Sequence, residues 1–145
     1  MITNYDVLTR IIVSLLVSAL VGLEREKTKH AAGLRTHMLV CVGATLITLI
    51  SFVVFPEDPG KVAAGIVTGI GFLGAGTIFR DKNNVRGLTT AASIWAVAGV
   101  GMALGAGAYV IAVAATAAIL FILELGRIEQ AIRGKGKGKR IVNYD

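Results

Sequence analysis

The sequence predicts an all-α polytopic membrane bundle of five transmembrane helices, with the N-terminus outside and the C-terminus in the cytoplasm. Three observations carry this expectation. Hydrophobic residues make up 54% of the 145-residue chain, and the mean hydropathy of +0.72 is well above the soluble norm. Apolar runs of about 17–20 residues recur, the length a helix needs to cross a hydrocarbon core roughly 30 Å thick. Lysines and arginines gather at alternate ends of those runs. The length leaves room for one domain, and the spans consume most of it.

The first span is predicted over residues 7–23, with Arg10 near its start and a small face of Ser14, Ser18 and Gly22. It does not read as a cleavable signal peptide. A basic start is lacking, and Glu24-Arg25-Glu26-Lys27 follows Gly22 where a small-residue cleavage site would stand. The second span covers 37–55 and ends at Pro56-Glu57-Asp58-Pro59-Gly60. At about 100° per residue, His37, Cys41, Thr45, Thr48 and Ser51 share one arc with Ala44, and Met38, Leu39, Leu46, Leu49 and Val53 face away. Such a seam has two readings: hydroxyls bonded to carbonyls and neighbouring helices, or the lining of a pathway or pocket.

The third span, 62–79, holds five glycines between Gly65 and Gly76: Gly65, Gly69, Gly71, Gly74 and Gly76. In water each would cost about 0.8–1.0 kcal/mol against alanine. In a bilayer the backbone must satisfy its own hydrogen bonds, and glycine lets a second helix approach closely. Gly65, Gly69 and Gly76 share one face, and Gly71 and Gly74 lie around the other side. The run therefore reads as the packing hub of the bundle, so that leucine at Gly69 or Gly71 should disrupt assembly. Whether the helix is continuous or breaks at Gly74-Ala75-Gly76, both are compatible with the pattern.

The fourth span, 88–104, brings Thr89, Thr90 and Ser93 as partners for the third, with Trp95 expected to fill space against the glycines. The tight turn Gly105-Ala106-Gly107 leads to a fifth span over 108–125, where Glu124 snorkels beside Arg127. Residues 1–126 thus form the membrane domain and 127–145 a basic cytoplasmic tail. Its Lys-Gly alternation is expected to lie unfolded against anionic headgroups, at about 1 kcal/mol per basic residue.

Thirteen of the fifteen basic residues fall on one side of this topology, leaving Arg10 and Lys61 on the other. The net charge of +6 is therefore an orientation signal and not a nucleic-acid footprint. On the basic side, Glu24, Arg25, Glu26, Arg35, His37, Arg80, Asp81 and Arg86 form a charged rim at the span ends. Ionisable groups at membrane depth tend to pair or do work. Glu24, Glu26 and Asp81 offer the hard oxygens that Mg2+ accepts through water, and each has an arginine beside it that would pair with it instead. The pattern Gly69-x-Gly71-x-x-Gly74 carries no weight as a dinucleotide motif outside a βαβ unit. No catalytic constellation is present, no cofactor is required, and the chain is not expected to be an enzyme.

Two blocks resemble a known family. Gly22-Leu23-Glu24-Arg25-Glu26 with Ala32-Gly33-Leu34-Arg35-Thr36-His37 is one; the other is Gly69 to Gly76 leading through Arg80 to Val85-Arg86-Gly87-Leu88-Thr89-Thr90-Ala91-Ala92. Together they are similar to the signature of the MgtC/SapB family, over roughly residues 8–125. The resemblance implies a bacterial inner-membrane protein of five spans, associated with growth in low magnesium and with virulence through survival inside macrophages. It implies modulation of other membrane systems, such as the F-type ATP synthase, with magnesium or proton transport as the alternative. The chain is expected to be a short form without the family's C-terminal ACT-like domain. A homodimer is expected, through Gly65 and Gly69 or through Ala112, Ala115 and Ala118 of the fifth span.

Overall fold

Two of the five helices begin at a side-chain cap of their own, and glycines precede the others. The computed structural model describes residues 2–82 and 84–134, the side chains of 127 and 129–134 excepted. Helix α1 (Asn4–Lys27) opens on a capping box in which Thr3 and Asp6 satisfy each other's backbone N–H groups. Helix α2 (Leu34–Val54) has Gly33 at its N-cap, with no side chain of its own to give. Helix α3 (Pro59–Ala75) starts at Asp58, which accepts from the Lys61 N–H, and takes Pro59 at its first position. Helix α4 (Leu88–Gly105) follows Gly87, whose φ of 87° suits glycine alone. Helix α5 (Tyr109–Gly134) follows Gly107 at φ 79°.

Four of these, α1, α2, α4 and the Tyr109–Gly126 part of α5, are long and apolar enough to cross a membrane. Helix α3 is shorter at 17 residues, a rise of about 26 Å. It stops four residues before the predicted end of the third span. The Thr77 hydroxyl and N–H both turn back to the Gly74 carbonyl, at 2.8 and 3.0 Å, and draw the chain out of the helix. Strands β1 (Phe79–Asp81) and β2 (Asn84–Arg86) then form an antiparallel hairpin, pairing Phe79 with Arg86 and Arg80 with Val85. This hairpin is an addition to the all-α expectation, made by a polar turn too short for anything else. At the other end, α5 continues eight residues past 126 because 127–133 contain no glycine or proline. The predicted tail is therefore helical as far as Gly134, and its remainder, 135–145, lies outside the described residues.

The hub is not where the glycine run placed it. Helix α3 buries Ile66, Ile70 and Gly74, and Gly65 and Gly69 lie beside that face, along an open groove against Leu39, Val40 and Gly43 of α2. A methyl group on Gly65, Gly69 or Gly71 would meet nothing within 4 Å, and one on Gly76 would meet only its own preceding turn. Gly74 alone of the five faces another helix, with the Ala91 carbonyl 3.4 Å from where a Cβ would sit. The close approach is between α2 and α4. A methyl on Gly101 would collide with the Cys41 carbonyl oxygen, and one on Gly105 would lie 2.5 Å from Thr48 Cβ and 2.7 Å from the Thr45 carbonyl oxygen. The Thr45 hydroxyl lies 2.9 Å from the Cys41 carbonyl oxygen and 3.0 Å from that of Gly101, joining the two backbones across the contact. Gly22 makes the equivalent approach of α1 to α2, where a Cβ would stand 2.7 Å from Leu34 Cα.

Around this seam Val21, Cys41, Val97, Val100, Leu104, Ala112 and Leu123 close one core cluster, and Ala44, Ile66, Ile70, Ile94 and Ala98 belong to the other. Trp95 is 56% exposed and does not fill space against the glycines; its position on α4 points away from α2.

Overpacking of a tight contact costs about 1–3 kcal/mol, so Gly101→Val is expected to lower the thermal unfolding midpoint in detergent markedly. Gly69→Ala is expected to leave it unchanged or raise it slightly, since the site is open and alanine is the better helix former. Equal losses from both variants would return the hub to α3.

Candidate functional site

The charged end of the bundle is built from the last turn of α1, the loop 28–33, the first turn of α2 and the hairpin. Arg25 is 4% exposed, and its Nε lies 2.9 Å from Glu24 Oε2. Its Nη2 donates to the His30 ring, 3.0 Å from Nε2. The Thr28 hydroxyl donates to the Glu24 carbonyl at 2.9 Å and meets His30 Nδ1 at 2.7 Å. With Nδ1–H donating to Thr28 and Nε2 accepting from Arg25, every bond of this knot has a proton to use. His30 was not singled out in the sequence because a histidine in a polar loop carries no periodic signal.

Glu26 serves α2. Its Oε2 accepts the Leu34 N–H at 2.8 Å, replacing the cap that Gly33 cannot give, and a negative charge at a helix N-terminus is favourable. A Cβ on Gly33 would lie 2.9 Å from the same oxygen, so a side chain there would have to displace the Glu26 carboxylate.

His37 is fully buried between α2 and α4. Its Nδ1–H donates to the Gly33 carbonyl at 2.9 Å, and Nε2 faces Ser93 Oγ at 3.1 Å. Ser93 Oγ also lies 2.9 Å from the Thr90 carbonyl. A hydroxyl has one hydrogen, so with a neutral ring Ser93 serves either Nε2 or Thr90. With a proton on Nε2 both bonds form.

The remaining rim residues lie elsewhere. Arg35, Arg80, Asp81 and Arg86 are exposed, and Asp81 Oδ1 accepts the Lys82 N–H at 2.7 Å. Among the described residues no three His, Cys, Asp or Glu side chains converge as a metal site requires. Glu24 and Glu26 therefore stand at the end of α1, and Asp81 on the hairpin, without forming one ligand set. Of the polar seam, Cys41, Thr45, Thr48, Thr90 and Ser93 are buried and Thr89 is half-buried. Ser14 and Ser18 of α1 are buried with them. The Thr45 and Ser51 hydroxyls go to carbonyls, whereas Thr48 Oγ1 has no hydrogen-bond partner among the described residues.

Removing one partner of a buried hydrogen-bonded pair costs about 1–3 kcal/mol. His37→Leu should therefore lower the unfolding midpoint clearly, and exposed Arg35→Gln should stay within about 0.5 kcal/mol of the parent. A thermal unfolding series in one detergent compares them directly, and a neutral His37→Leu would remove the peg between α2 and α4.

Comparison with known proteins places this geometry in a lineage. The MgtC family model matches residues 11–131. Protein MgtC of Salmonella typhimurium (strain LT2) is 47% identical over 116 residues, covering 80% of this chain and 50% of that protein. Protein MgtC of Brucella abortus (strain 2308) is 49% identical over 113 residues, covering 77% and 48%. YhiD of Escherichia coli (strain K12), provisionally named a magnesium transporter, is 36% identical over 129 residues, covering 83% and 60%. The chain spans about half the length of the MgtC proteins it matches. No solved structure matches it. The two sequence blocks, the five helices and the match over most of the chain agree: this is a multi-pass membrane protein of the MgtC family.

Proposed function

We propose that this chain is a regulatory binding module of the bacterial inner membrane, linked to magnesium homeostasis, which acts by docking other membrane proteins. The F-type ATP synthase is the partner that the family resemblance implies. The carrying observation is how the interior polar groups are used. The hydroxyls of Thr45, Ser51, Ser93 and Thr116 reach carbonyls of their own helices, and Thr45 and Ser93 also meet Gly101 and His37 across the α2–α4 contact. The buried charge among the described residues, Arg25, lies at the end of α1 and not at mid-span. A bundle closed in this way suits docking better than conduction. In this reading all five helices cross the membrane, with α3 the short one, and the basic side faces the cytoplasm. A homodimer would use the open, methyl-free face of Gly65 and Gly69. Ala112, the first of the α5 alanines, is fully buried within the bundle and does not serve that purpose.

A second reading, transport of magnesium or protons, is favoured by the name given to YhiD and by the unbonded hydroxyl of Thr48. Glu24, Glu26 and Asp81, which do not converge on one site, would then attract the ion to the cytoplasmic mouth, with Arg35 as counter-ion.

Flux from proteoliposomes separates the two. Under the regulatory reading, purified protein carries no magnesium or protons across imposed gradients in either direction, and a defined membrane protein co-purifies under gentle solubilisation. Flux that Glu24→Gln weakens would replace that reading with transport.

A further inference from the structure

Arg10 stands one and a half turns into α1, at the end of the bundle opposite the charged rim. Its Nη1 donates to the Gly105 carbonyl at 2.6 Å, which puts a cation at the C-terminus of α4, where the helix dipole is negative. The guanidinium lies against Gly107, where a Cβ would come within 3.0 Å of Nη2. This uses a small part of what the group offers, since a guanidinium carries five N–H donors. Its Nε is buried and has no hydrogen-bond partner among the described residues. Asp6, one turn earlier, attracts it across the turn without a direct ion pair: that carboxylate accepts from the Thr3 N–H at 2.9 Å and the Thr3 hydroxyl at 2.7 Å.

Arg10 also lines an open cleft of about 510 Å³ with Ile2, Phe52, Val53 and Ala106. The other walls are apolar, and Phe52 and Val53 continue them along the outside of α2, 42% and 61% exposed. A cation with spare donors is thus set beside an exposed apolar track, at the level where the helices end. An ion at membrane depth tends to pair or do work, and the planar fork of arginine fits phosphate oxygens.

We propose that this cleft is a phospholipid site. Arg10 holds the headgroup phosphodiester while one acyl chain lies along Phe52 and Val53. Free phosphate would satisfy the cation and leave the track wet, and a neutral lipid would do the reverse. The lipid phosphate joins Arg10 at the seat of the α4–α5 turn, so occupancy tightens the same contact that the Arg10–Gly105 bond makes.

The test is thermal unfolding of the full chain in detergent, titrated with dioleoylphosphatidylglycerol, dioleoylglycerol or inorganic phosphate. The phospholipid should raise the midpoint by a few degrees in a saturable way, and the other two should not. Arg10→Gln should lose the shift, although it also removes the bond to Gly105. Ala106→Phe, which fills the cleft and keeps that bond, should hold the lipid-free midpoint and lose the shift as well. A shift from dioleoylglycerol or from phosphate equal to that from the phospholipid in the unaltered chain overturns the proposal. So does an undiminished shift in both variants.

Discussion

The contact of α2 with α4 is the constraint on which the rest of this bundle depends. Two backbones meet there because Gly101 and Gly105 present no side chain to Cys41, Thr45 and Thr48. In lipid there is no hydrophobic force to push helices together, so close van der Waals contact and interhelical hydrogen bonds must do it. The Thr45 hydroxyl between the Cys41 and Gly101 carbonyls, and Ser93 against His37, supply the hydrogen bonds at two levels of the same seam. Helix α1 joins α2 through Gly22, and α3 packs on the other side through Ile66 and Ile70.

At its two ends the bundle spends charge on helix termini. Glu26 caps α2 from α1, and Arg10 caps α4 from α1. Each of these side chains sits on α1 and closes a different helix, so α1 acts as a strap tied at both ends. The Glu24–Arg25 pair belongs to the same strap. A buried ion pair is weak evidence of stability in itself, but removing one partner leaves a charge that the surroundings cannot solvate. These residues therefore have structural work whatever partner or ion the charged end meets.

Much of this was legible in the residues. The second span's polar arc, His37 to Ser51, lies on the buried face of α2, because a period of 3.6 residues sorts side chains before any neighbour is known; Leu49, expected to face away, is buried at the edge of that arc. The two family blocks were readable as sequence, and they enclose Gly22, Glu26, Gly33 and His37, all of which meet at the junction of α1 and α2. The hairpin was not legible, because three-residue strands in a polar turn leave no periodicity to detect. Nor was the bond from Arg10 to Gly105, which joins residues 95 apart in the chain.

By itself, then, the sequence determined the helical bundle and the face that the polar residues of the second span take, since burial in lipid and helical period are local properties. Which glycines bring helices together was decided only by the tertiary structure. Gly65-x-x-x-Gly69 and Gly101-x-x-x-Gly105 are the same motif in apolar helices, and the first is the more conspicuous for the glycines around it. Yet Gly65 and Gly69 face open space while Gly101 and Gly105 lie on backbone. A glycine permits close approach and does not compel it. The partner must bring its own small residue or carbonyl to the same height, and that depends on how α2 and α4 pair across more than fifty residues of intervening chain.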